Sequence, residues 1–109
     1  MAWLRVCSEE ELPHGRARTL DTAGGRIAVF RAENGVLYAI EDRCPHRGAA
    51  LSRGVLYDLC KVACPDHGWT VDLRSGEVEA PERGEVRTFA VRTVDAEVFV
   101  SVPPPGAVA

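Results

Sequence analysis

Cys44-Pro45-His46-Arg47-Gly48 and Cys64-Pro65-Asp66-His67-Gly68-Trp69 are the two stretches on which the chain turns. Each offers one thiol and one imidazole, and seventeen residues separate His46 from Cys64. If the two loops face each other, two soft sulfur donors and two borderline nitrogen donors meet at one point, which makes a four-ligand metal site. Zinc accepts two thiolates and two imidazoles, but zinc-finger spacing keeps the two Cys together and the two His together. Here each loop mixes them. A mixed pair per loop suits a binuclear iron-sulfur cluster in which two Cys hold one iron and two His hold the other. A zinc-stabilised structural or interaction module is the alternative that uses the same donors without redox activity.

The residues around the donors fit a stiff site. Pro45 and Pro65 fix φ directly after each Cys, and Gly48 and Gly68 allow positive φ or a close backbone approach. Trp69 follows the second loop and is read either as a shield against water or as a core aromatic; the two readings are compatible. Cys7 and Cys60 lie outside the motifs and are read as small buried hydrophobes in preference to a resolving thiol or a mutual disulfide. His14, among Pro, Gly and Arg, is read as a solvated loop residue.

Working outward, 109 residues make one domain with a modest core. The expected boundaries are 1–102 for the domain and 103–109 for a Pro-rich tail. A net charge of −3 with both signs interspersed argues against nucleic acid, which wants a basic stripe. The N-terminus lacks the basic start and apolar run of a signal peptide, and no window approaches the length of a membrane span. The expectation is a soluble, cytoplasmic protein whose cysteines are metal ligands or inert thiols. No mononuclear-iron triad, glycine-rich nucleotide fingerprint or Ser-His-Asp set accompanies the loops, which points to a carrier with no substrate site of its own.

Short alternating runs predict an all-β chain of eight to ten antiparallel strands. Trp3–Cys7 reads as the first strand, and Ser8–Leu12 as a short turn stopped by Pro13. Arg16–Thr22 and Arg26–Arg31 flank a Gly24-Gly25 turn. Asn34-Gly35 reads as a two-residue type I′ hairpin with positive φ at both positions, returning through Val36–Ile40 to the first loop. Leu51 and Val55 are expected to fill space beneath the metal. Cys60–Ala63 and Trp69–Leu73 read as strands either side of the second loop, Glu85–Val94 as one strand, Asp95-Ala96 as a hairpin tip and Glu97–Val102 as the last strand.

The two loops, with four donor types in order and Pro after each Cys, resemble those of the Rieske 2Fe-2S proteins over about Ile40 to Val102. The resemblance implies an antiparallel β-sandwich or barrel, with a cluster-binding subdomain of two loops. It also implies one 2Fe-2S cluster held by Cys44, His46, Cys64 and His67, and electron transfer as the task. High-potential respiratory members carry an extra Cys in each loop and a hydroxyl beside the cluster; the corresponding positions here are Ala49, Asp66 and Trp69. The expected potential is therefore roughly −150 mV, the low end of about −150 to +300 mV.

Cys64–Gly76 followed by Val86-Arg87-Thr88-Phe89-Ala90-Val91-Arg92 is similar to the small subunit of assimilatory NAD(P)H nitrite reductase. That resemblance implies a large-subunit partner carrying flavin and sirohaem, in nitrate and nitrite assimilation. The alternative resemblance is to the Rieske ferredoxin of aromatic-ring dioxygenases, which works between a flavoprotein reductase and an oxygenase.

Overall fold

Alternation along one strand organises the core. Ile27 and Val29 face one way, Ala28 and Phe30 the other, and all four are buried. That strand is consequently covered on both faces, since successive side chains in a strand point to opposite sides. The computed structural model describes residues 2–66 and 68–102; the Pro-rich tail expected at 103–109 lies outside them.

The strands in chain order are β1 (Ala2–Ser8), β2 (Ala17–Thr22), β3 (Gly25–Arg31), β4 (Leu37–Glu41), β5 (Val55–Tyr57), β6 (Lys61–Ala63), β7 (Thr70–Asp72), β8 (Thr88–Phe89), β9 (Val91–Val94) and β10 (Glu97–Val102). Single 3-10 turns occupy Glu9–Glu11 and Leu51–Arg53. All pairings are antiparallel, in three sheets ordered β1-β10-β9, β2-β3-β4-β8 and β5-β6-β7.

The four-stranded sheet is the middle layer. On one face, Ile27, Val29 and Ala39 pack with Cys7, Leu12, Val98, Val100 and Val102 of the first sheet and its turn. On the other, Ala28, Phe30 and Ile40 pack with Val62 and Val71 of the third sheet, with Leu51, and with Cys44 and Cys64 themselves. Fully burying a side chain such as Phe30 or Ile40 contributes about 1.5–3 kcal/mol. The second core is therefore both the floor of the two loops and a main source of their stability.

Several local expectations need correction. The β3–β4 connection is not a two-residue turn: Arg31 pairs with Leu37, and Gly35 but not Asn34 has positive φ. The Asn34 side chain instead accepts from the Val36 N–H at 3.1 Å, an Asx turn that removes the need for a left-handed Asn. Glu85–Val94 is two strands, because the chain leaves the middle sheet after Phe89 and joins β10 from Val91. Val55 does not fill the floor. It is 67% exposed on β5, whereas Leu51 is fully buried.

Candidate metal centre

The two loops close with the same backbone pattern. In the first, the Cys44 N–H donates to the Ala49 carbonyl and the Gly48 N–H to the Cys44 carbonyl, each at 2.8 Å. In the second, the Cys64 N–H donates to the Trp69 carbonyl at 2.7 Å and the Gly68 N–H to the Cys64 carbonyl at 2.9 Å. In both loops the glycine four residues after the Cys has positive φ, +77° at Gly48 and +75° at Gly68. This conformation turns its N–H back toward the Cys and strains a residue with a Cβ. Two differently spelled sequences thus build two matching cradles.

β4 delivers the chain to Cys44, and β6 delivers it to Cys64. Asp42, only 7% exposed, ties the end of β4 to the turn beyond the first loop. Its carboxylate accepts from the Ser52 N–H and the Ser52 hydroxyl, both at 2.7 Å. Sequence reading missed this residue; an Asp two positions before Cys44 and a Ser ten residues on were its only trace. Gly54 lets β5 begin against β6, for a Cβ there would collide with the Ala63 carbonyl oxygen and lie 2.9 Å from Val62 Cγ2. The later segment reaches back as well: a Cβ on Gly84 would sit 2.9 Å from the Pro45 ring.

Cys44 and Cys64 are both buried and both free thiols. Burial pushes the Cys44 thiol above its ordinary range; the backbone N–H of His46 acts against this, while the adjacent Cys64 thiol, within hydrogen-bonding reach, adds to it. The Cys44 thiol, in contact with a second unbridged thiol, is a poor acid until a metal takes the place of its proton. The His46 ring stacks on Trp69, centroids 4.5 Å apart and planes 11° from parallel. Trp69 thereby closes its own loop through its carbonyl to Cys64 and joins it to the first loop through its ring on His46. It also packs on the core beneath, as the core-aromatic reading expects.

Among the described residues no three His, Cys, Asp or Glu side chains converge closely enough to hold a metal ion by themselves. The fourth donor expected from sequence, His67, lies outside the described residues, as does its contribution to that count. Cys7 is buried and Cys60 half-buried, both free. His14 is exposed, with Nδ1 2.9 Å from the Glu33 carbonyl oxygen.

A three-layer antiparallel β domain that presents two matched Cys-and-His loops over an apolar floor defines a small β-class metalloprotein with a mixed sulfur and nitrogen site. The profile of the Rieske [2Fe-2S] domain matches residues 2–90, and the chain belongs to that family. It carries electrons through a Rieske-type 2Fe-2S cluster. The donor chemistry fits: paired soft thiols in a buried floor, with imidazole held at the rim. The chain is similar to the 3-phenylpropionate/cinnamic acid dioxygenase ferredoxin subunit of Photorhabdus laumondii, 36% identical over 94% of this chain and 96% of that one. It is also similar to a structure of the oxygenase and ferredoxin complex of carbazole 1,9a-dioxygenase, with 32% identity, TM-score 0.81, and 91% and 92% of the two chains covered. An NADH-dependent nitrite reductase small subunit from Mycobacterium tuberculosis shares the fold, with TM-score 0.83, 24% identity and 91% and 93% coverage. Among the described residues no helix is long and apolar enough to cross a membrane.

Proposed function

We propose that this chain is the ferredoxin component of an aromatic-ring oxygenase system, taking one electron at a time from a flavoprotein reductase and passing it to the oxygenase in the cytoplasm. The observation that carries this reading is the likeness to a dioxygenase ferredoxin subunit over nearly the whole of both chains. The nitrite reductase reading ranks second. Its structural support lies at an identity that speaks for fold alone, and the stretch that suggested it serves packing. Val86 joins the floor, Arg87 pairs with Glu41, and Phe89 and Val91 pack on the other core.

In this proposal Cys44 and Cys64 hold one iron as thiolates, and His46 and His67 hold the other as imidazoles. Bound there, the cluster supplies a one-electron centre. The chain's own residues keep the surroundings fixed. Pro45 and Pro65 stiffen the loops, the Cys44 and Cys64 N–H groups are spent on closing them, Trp69 orients the His46 ring, and the apolar floor excludes water from the thiolate side. A site that does not rearrange lowers the reorganisation that accompanies each electron.

The test is a reconstituted system containing NADH, an aromatic-ring dioxygenase reductase and its oxygenase, with this chain as the only carrier. Oxygenated product that depends on the chain supports the proposal. Failure there, together with stimulation of a sirohaem nitrite reductase large subunit, would replace it with the second reading.

A further inference from the structure

Of the twelve arginines of this chain, six have a carboxylate or ring partner and six, Arg16, Arg31, Arg43, Arg47, Arg53 and Arg83, have neither among the described residues; three of these six stand together. Arg5, Arg18, Arg26, Arg74 and Arg87 are each within 4.0 Å of a carboxylate oxygen of Glu or Asp, and Arg92 lies over the Trp3 ring. Arg43, Arg47 and Arg53 are exposed and, among the described residues, make no ion pair. All three stand around the first loop. Arg47 follows His46, the Arg43 side chain comes within 3.4 Å of where a Gly48 Cβ would be, and Arg53 ends the turn that Asp42 ties down through Ser52.

The carboxylates nearest in sequence to them leave a net positive charge, for exposed Asp58, five residues after Arg53, faces Lys61. Asp42 is buried on Ser52, Glu41 is paired with Arg87, and Asp66 of the second loop is already engaged. Glu82 and Glu85 flank Arg83 on the segment behind Pro45 and leave that segment one net negative charge against the three positive ones. Two residues after Arg53 comes Val55, 67% exposed and opposite Ala63 in the β5–β6 register, one residue before Cys64. An exposed apolar side chain edged by unpaired charge has the make-up of a protein interface, with a dry centre and a polar rim.

We infer that this basic shoulder, Arg43, Arg47 and Arg53 around Val55, receives an acidic surface of the redox partner and sets where the electron leaves. The inference rests on the electron-carrier reading and adds to it the sign of the partner's face, which a net charge of −3 does not suggest. Steering by a local patch of this kind changes association rates by roughly 10–10³ and weakens as salt screens it.

The experiment follows oxidation of the dithionite-reduced protein by stopped flow, using the trianion ferricyanide or the trication hexaamminecobalt(III), each of which accepts one electron. The expected result is a ferricyanide rate that falls with ionic strength and a hexaamminecobalt rate that rises. Arg43→Glu and Arg53→Glu should each slow ferricyanide several-fold. Arg92→Glu, an equal change in net charge at an exposed arginine of β9 in the first sheet, across the middle layer from the loops, should leave it nearly unchanged. Equal effects from all three variants, or a ferricyanide rate that rises with salt, would overturn the inference. Broadening of the Arg53 and Val55 amide signals by the paramagnetic trianion hexacyanochromate(III) reads the same surface without electron transfer. Broadening in a protein that cannot be reduced would refute the carrier reading and keep the basic face, whereas a reducible protein without broadening would do the reverse.

Discussion

Gly54→Ala is the substitution that links packing to the metal centre most directly. The backbone at Gly54, φ −77° and ψ 179°, is open to alanine, so any effect must come from space. The new methyl would strike the Ala63 carbonyl oxygen and come within 2.9 Å of Val62 Cγ2 and 3.1 Å of the Ala63 carbonyl carbon. Relief requires β5 and β6 to part by about 1 Å, and forced expansion of a packed site costs about 1–3 kcal/mol. For a domain of this size that lowers Tm by about 5–15 °C. β5 is an edge strand held by three residue pairs, and Ala63 leads straight into Cys64, so the movement also separates the two thiols. Expected together are a lower Tm and faster loss of iron to a chelator. Gly24→Ala is the control, since a Cβ there meets nothing nearer than 3.8 Å. If Gly54→Ala matches the wild type in both Tm and iron retention, the placement of β5 against β6 is wrong.

Trp69→Leu removes a stack worth about 0.5–1.5 kcal/mol and frees the His46 ring. It should broaden the EPR lines of the reduced protein, while Trp69→Phe keeps them narrow; indistinguishable lines in all three proteins would remove Trp69 from any positioning role. Asp42→Ala strands the Ser52 N–H and should cost roughly 1–3 kcal/mol in chemical denaturation, against little for a surface carboxylate such as Glu10→Ala. The side-chain hydrogen bonds from Arg74 hold the Asp72 carboxyl below its ordinary range. Its contribution to stability is thus present above the unfolded-state pKa and lost as pH falls through the lower folded value. Asp72→Asn should flatten the fall in Tm on acidification below about pH 4, and an unchanged slope would contradict the pairing. Voltammetry at neutral pH should place the midpoint near the low end of the Rieske range, roughly −150 mV; a value well above zero would show that the missing loop cysteines do not matter.

The loops were legible in the sequence because their chemistry is local: donor types, spacing, Pro and Gly all lie within a few residues of each other. β3 was legible too, since an unbroken run of four apolar residues marks a strand buried on both sides, although its turn is Ala23-Gly24 and Gly25 already pairs with Thr22. What could not be read was anything decided by partners far along the chain. Alternation continues unbroken through Ala90, so the change of sheet between Phe89 and Val91 leaves no mark in the pattern. Asn34-Gly35 carries the strongest local turn signal, yet five residues separate the paired ends and the Asn side chain serves Val36. Conversely, Asp58 and Leu59 adopt φ of 48° and 62° with no glycine, because the β5–β6 pairing imposes the turn. Val55 and Leu51 looked alike as apolar residues four apart. Only the edge position of β5 turns one to solvent and leaves the other in the floor.

The most direct test of the central claim is low-temperature EPR of the dithionite-reduced protein, with iron, zinc and acid-labile sulfide measured on the same sample and nitrogen hyperfine couplings compared between wild type, His46→Cys and His67→Cys. The account predicts equal iron and sulfide, an anisotropic signal with average g below the free-electron value, and imidazole nitrogen couplings that change or vanish in each variant. Zinc without a signal, or an unaltered spectrum in either histidine variant, would contradict it.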